Sequence, residues 1–200
     1  MTLLLNGSQK LNPSNSLLFL KYISKYLNDY KILSLMKNNY ESILDALNNN
    51  DSIIIAFPLY VDSPNTITLS FLDYIYDNKI SLNKKRVYFV INCGFREGEQ
   101  NITALNIAKN WCLKVNAIYS GAILIGAGEV IGNRKLKFLS NKAFRKLKKF
   151  SLFVNNNTSC PEIITTVSFL GNKFYCKVAN DSWNNKGKKN GLSKDDLRME

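Results

Sequence analysis

No histidine occurs anywhere in the chain, and its four cysteines, Cys93, Cys112, Cys160 and Cys176, form no C-x-x-C pair. The two absences argue against a zinc site, which draws on closely spaced Cys and His, and against an iron–sulfur cluster, which wants clustered thiolates. The cysteines therefore read as buried thiols. Long apolar runs are missing too. Nothing approaches the ~20 residues of a membrane span, so no membrane partner is expected. One Thr precedes the Leu3–Leu5 run, which Asn6 and Gly7 end too early for a secretory leader. A cytoplasmic location is the expectation. Acidic residues are scarce, 15 Asp and Glu against 27 Lys and Arg, for a net charge of +12. Because Lys and Asn abound generally while His is absent, the excess reads as compositional bias, and no nucleic-acid partner is expected.

What is present suits one domain. The chain has 200 residues, 46% of them hydrophobic, enough for a sizeable core. Five short apolar runs, Leu3–Leu5, Ile32–Leu35, Ile53–Phe57, Val87–Ile91 and Ala122–Ile125, read as strands buried on both faces. Between them apolar residues recur at helical spacing: Leu17, Leu20, Ile23 and Leu27; Tyr40, Ile43, Leu44 and Leu47; Ile67, Phe71, Leu72 and Ile75; Ile102, Leu105, Ala108 and Cys112. The most basic stretch, residues 133 to 150, places Leu136, Leu139, Ala143, Leu147 and Phe150 on one helical face. Its cations fall elsewhere and read as a solvated surface.

Strands alternating with helices predict a parallel sheet covered on both faces. The expected architecture is an α/β, flavodoxin-like three-layer sandwich with a five-stranded sheet of order 2-1-3-4-5. Residues 1–155 would form this domain, and 156–200 a C-terminal helical extension packed on it. Within the extension, Ser193-x-x-Asp196 has the spacing of a capping box.

In such a sheet ligands lie beyond the strands' carboxyl ends, where strand order reverses. Three loops meet there. The first, "GSQKLNPSNS", is longer than the roughly 2–6 residues of a plain βα connection. Ser8, Ser14, Asn15 and Ser16 place donors ahead of a helix N-terminus, whose unpaired N–H groups and dipole favour an anion, and Lys10 adds charge. Gly7 is expected to allow a tight turn. The second loop, "FPLYVDSPNT", is stiffened by Pro58 and Pro64 around Tyr60 and Val61. The third, "NCGFREGEQN", brings Gly94, Phe95, Glu97 and Gly98. Aromatic walls plus a phosphate loop at one sheet edge favour a flavin mononucleotide. Two other phosphate motifs fail. No Walker A pattern follows Gly7, and "GAGEVIG" spaces its last glycine one place too late for G-x-G-x-x-G.

These segments resemble a known family. "LLLNGSQKLNPSNS" is similar to the start, and "DSIIIAFPLYVDSPNTITLSFLD" to the Pro-x-Tyr segment, of the flavodoxin-like NAD(P)H-dependent FMN reductases. The likeness covers roughly the first 150 residues. Gln9 stands where the family often has Pro, and Ser70 where Lys is frequent. The resemblance implies that Ser8, Lys10, Ser14, Asn15 and Ser16 hold the FMN phosphate. It places Pro58, Leu59, Tyr60 and Val61 along one side of the flavin ring and Asn92, Cys93, Gly94 and Phe95 along another. It also implies hydride transfer from NADH or NADPH through FMN to a small acceptor (quinone, nitroaromatic, flavin or metal), and a homodimer. No catalytic side chain and no resident metal are required. Two alternatives stay open: a flavodoxin-type electron carrier, and a protein of this fold that binds no flavin.

Overall fold

The computed structural model describes residues 1–10, 14–128, 141–167, 171–193 and 195–196. The chain divides into two compact units, Met1–Val167 and Ser168–Glu200.

In the first unit, β1 (Thr2–Asn6), β2 (Tyr30–Ser34), β3 (Ser52–Tyr60), β5 (Arg86–Asn92), β6 (Ile118–Gly126) and β7 (Ile163–Thr166) form one parallel sheet. Its order is β2-β1-β3-β5-β6-β7, and a short antiparallel β4 (Ser63–Pro64) folds back on the end of β3. The order agrees with the 2-1-3-4-5 expectation over its first five parallel strands. The count of five does not hold. β7 adds a sixth strand from a stretch expected to be helical extension, because the β-branched run Ile163–Thr166 covers the outer edge of β6. A second difference lies at β2. It is half exposed rather than buried on both faces, as an edge strand is.

Alternation along the strands feeds two cores. Leu3, Leu5, Ile53, Ile55, Phe57, Val87, Phe89 and Ile91 join α2 (Tyr40–Asn48), α3 (Thr66–Asp77) and α4 (Ile102–Lys114) in one cluster. The intervening Leu4, Ile54, Tyr88 and Val90 are also buried and serve the opposite face. There α1 (Asn15–Ser24) and α5 (Asn141–Asn155) cover the sheet, with the Tyr88 and Phe150 rings edge-on at 6.0 Å. Ala143, Leu147 and Phe150 are fully buried, as their spacing predicts, whereas Leu136 and Leu139 lie outside the described residues. The cations of α5 do more than meet water. Lys146 Nζ donates to the Ile164 carbonyl at 2.6 Å, and Lys148 lies over the Tyr26 ring at 5.2 Å.

The second unit contains α6 (Asn172–Lys189). After it, Ser193 N–H and hydroxyl donate to Asp196 Oδ2 while Asp196 N–H donates to Ser193 Oγ, the reciprocal bonds of a capping box. Cys176, on α6, is exposed, so only Cys93, Cys112 and Cys160 match the reading as buried thiols. No helix among the described residues is long and apolar enough to cross a membrane.

Candidate functional site

The strand order reverses between β1 and β3, and a pocket opens at their carboxyl ends. Ser8, Lys10, Asn15, Ser16, Pro58, Leu59, Tyr60, Asn92, Cys93 and Gly94 line it. Ten of the thirteen residues singled out in the sequence therefore meet at one place. Ser14, Val61 and Phe95 are the other three.

The first loop is shaped by its own side chains. Ser8 N–H donates to Asn6 Oδ1 and Lys10 N–H to Ser8 Oγ, each at 3.3 Å. Ser14 is buried and caps α1, accepting from Leu17 N–H at 3.2 Å. Capping explains Ser14 fully, and it does not line the pocket. Leu18 N–H donates to the Ser14 carbonyl, which leaves the Asn15 and Ser16 N–H groups uncapped among the described residues. Both residues line the pocket, and no carboxylate stands in the first turn of α1. An anion is favoured there.

Gly7 is needed for a reason other than the expected turn. A Cβ on it would collide with Thr68 Oγ1 and come within 3.1 Å of Phe57 Cβ. Asn65 and Thr68 are both buried: Asn65 Nδ2 donates to the Gly7 carbonyl at 2.7 Å, and the Thr68 hydroxyl donates to Asn65 Oδ1 at 2.6 Å, which fixes that amide. Sequence reasoning missed this pair. Nothing local in the loop "FPLYVDSPNT" signals it, because the carbonyl that Asn65 binds lies 58 residues away.

The second loop starts later than expected, because β3 continues through Pro58 to Tyr60. Pro58 pairs with Asn92 but has no N–H for the ladder. Asn92 Nδ2 donates to the neighbouring Phe57 carbonyl at 3.1 Å. Val61 and Asp62 form the hairpin tip with φ of 47° and 59°. These are the positive values of a two-residue hairpin turn, strained for a β-branched Val. Val61 is 98% exposed at that tip, and its side chain is outside the pocket. Tyr60 is half exposed at the rim.

In the third loop Phe95 is also exposed and does not line the pocket, contrary to the ring wall expected of it. Cys93 does line it. Its thiol donates weakly towards the Phe95 and Glu97 carbonyls at 3.6 Å, and Asn101 Nδ2 approaches its sulfur at 3.4 Å. Burial pushes the Cys93 thiol above its ordinary range, so it stays protonated at neutral pH and is a poor nucleophile. The glycines of "GAG" serve packing. A Cβ on Gly126 would run into the Arg96 carbonyl as the third loop crosses β6, and Ala127 N–H donates to the Phe95 carbonyl at 2.5 Å. The later residues of "GAGEVIG", from 129 on, lie outside the described residues.

The pocket measures about 130 Å³, less than the 300–1,000 Å³ that swallows a whole drug-sized ligand. A larger groove of about 970 Å³ follows α6 in the second unit. It is lined by one helix and the turn after it, and no groups converge there as they do at the sheet edge. Among the described residues no His, Cys, Asp and Glu gather as metal ligands.

No protein-family model and no curated protein matches the chain. Solved structures do. An NADPH-quinone reductase from P. pentosaceus superposes with a TM-score of 0.62 at 19% identity, over 80% of this chain and 99% of that one. The Trp repressor binding protein from Bacillus subtilis reaches 0.61 at 14%, over 74% and 96%. A Fusobacterium nucleatum flavodoxin bound to flavin mononucleotide reaches 0.56 at 14%, over 79% and 99%. Identities this low establish the fold, which is flavodoxin-like, and they agree with the resemblance read from the sequence.

Proposed function

We propose that the protein is an FMN-dependent oxidoreductase that takes a hydride from NADH or NADPH and delivers it to a small acceptor such as a quinone, nitroaromatic, flavin or metal ion. One observation carries the reading: the pocket at the strand-order reversal has anion donors at one end and a flat, partly apolar wall at the other. The residues present fit FMN. The Asn15 and Ser16 N–H groups, the Ser8 and Ser16 hydroxyls and Lys10 would hold its phosphate. Pro58, Leu59, Tyr60, Cys93 and Gly94 would flank its ring. Bound there, FMN would supply the hydride-accepting and hydride-donating chemistry, while the protein supplies placement and electrostatics. A neutral Cys93 keeps a thiolate away from the ring position. The half-exposed Tyr60 and the exposed Phe95 leave apolar surface beside the pocket mouth, which supports a homodimer as part of the proposal. A cytoplasmic setting completes it.

The flavodoxin neighbour favours a second reading, an electron carrier that passes single electrons to partner proteins. The charge of +12 weighs against it, because such carriers are usually acidic in the family the chain resembles. Purified protein should show a flavin absorption band and release FMN on heating. It should also oxidise NADH or NADPH in the presence of a quinone without any partner protein. Flavin without nicotinamide oxidation would favour the carrier. Protein that neither carries nor takes up FMN would overturn both.

A further inference from the structure

Asn92, which the family resemblance sets along the flavin ring, lines the pocket from the end of β5 and is bonded to Ser16. It is 4% exposed at the end of β5, and its side-chain nitrogen donates twice, to the Phe57 carbonyl at 3.1 Å and to Ser16 Oγ at 2.9 Å. A carbonyl can only accept, so the Phe57 contact settles which end of the Asn92 amide is the nitrogen. Ser16 Oγ meets that same nitrogen and must therefore be an acceptor in this bond. The hydroxyl hydrogen then has to point elsewhere. Ser16 is 1% exposed, lines the pocket, and has no acceptor for that hydrogen among the described residues.

We infer that Asn92 is a positioning residue: bridging β3, β5 and α1, it turns the Ser16 hydroxyl hydrogen into the pocket, where the hydrogen donates to a phosphate monoester. The inference deepens the FMN reading and rests on it for the identity of the nucleotide. Its consequence is selectivity. A flavin bearing the monoester gains the oriented hydroxyl, and one lacking it does not. The bridge also links the strand that carries the third loop to the phosphate end, so the two halves of the pocket are built as one piece.

The test compares FMN with riboflavin, which has the same ring and no phosphate, by titrating each against wild type, Ser16→Ala, Asn92→Ala and the double variant. Wild type should prefer FMN. Ser16→Ala should shrink that preference about 10- to 150-fold, the loss of one hydrogen bond to a charged group. Asn92→Ala should shrink it similarly, and adding it to Ser16→Ala should change little further. Riboflavin affinity should stay nearly constant throughout, which a merely structural role for Asn92 would not allow. Equal, additive losses for both flavins would overturn the inference and leave the flavin reading standing. So would an FMN preference that survives Ser16→Ala, a variant that keeps the Asn92–Phe57 bond and decides the matter if Asn92→Ala does not fold. If wild type binds neither flavin, the FMN reading falls. Inorganic phosphate, followed by phosphorus NMR against wild type and Ser16→Ala, then decides the inference alone: binding lost in the variant upholds it, and no binding or unchanged binding ends it.

Discussion

At the scale of single residues, what matters most near the pocket is a missing side chain. Gly7 sits between Thr68 Oγ1, Phe57 Cβ and the Ala56 carbonyl, and any Cβ would overlap the first of them. Gly7→Ala should lower stability by about 1–3 kcal/mol, the usual range for overpacking. Urea unfolding measures it, and an unchanged midpoint would mean that α3 shifts freely to make room. Buried thiols give a second expectation, in pH. Burial pushes the Cys112 thiol from 9.0 up to about 12. The unfolded chain therefore loses this proton first as pH rises, and between pH 9 and 12 it holds fewer protons than the folded one. Stability from this group is intact below about 9 and is lost on going up through the window. The buried Cys160, pushed to about 11, the buried Tyr88 and the half-buried Tyr119 act in the same direction. Cys112→Ala should flatten the decline between pH 9 and 11 by up to about 1.4 kcal/mol per pH unit relative to wild type. Parallel curves for the two proteins would show that the thiol ionises normally in place.

At the scale of elements, α5 shows why charge on a helix cannot be read as solvation alone. Its buried stripe explains the helix, yet Lys146 reaches the carbonyl of Ile164 in the edge strand β7. Lys146→Met keeps the aliphatic stem and removes the donor. It should cost on the order of 1 kcal/mol, discounted from the range for charged hydrogen bonds because the pair is only partly buried. Lys149→Gln, on the exposed side, should stay within about 0.5 kcal/mol. Chemical denaturation of the two variants checks the contrast, and equal effects would remove the strand-capping role. Faster amide exchange in β7 of Lys146→Met would locate the loss.

At the scale of the whole molecule, the sheet closes with β7, and the first compact unit ends at Val167. A chain ending there should melt cooperatively with the far-UV signature of an α/β fold. A chain ending at 155 would lack the strand that covers β6 and should melt lower, exposing a β6 edge prone to pairing with other chains. Calorimetry and light scattering on the two truncations test this. A chain of 167 residues that is molten would show instead that residues 168–200 are needed for the core.

The sequence by itself determined the layering and the sheet edge at which a pocket opens. Continuous apolar runs separated by helical spacing leave few alternatives to a doubly covered parallel sheet, and the switch in strand order then brings together the loops after β1, β3 and β5. Ser8, Lys10, Asn15, Ser16 and Tyr60 were legible as pocket residues because each lies within a few positions of a strand end or helix start, while Pro58, Leu59, Asn92, Cys93 and Gly94 came through the family resemblance. Only tertiary structure decided the rest. Ile163–Thr166 became a strand because β6 offered an edge, which a run of four residues does not announce. Val61 and Phe95 turned outward because hairpin and loop geometry aim them, and residue type does not. Gly7 proved to be a contact with α3, and Asn92 a bridge to Ser16 across 76 residues of chain. Spacing along a chain reports what a local element needs. Which distant polar groups will share a buried bond is settled only when the elements pack and every donor must find an acceptor.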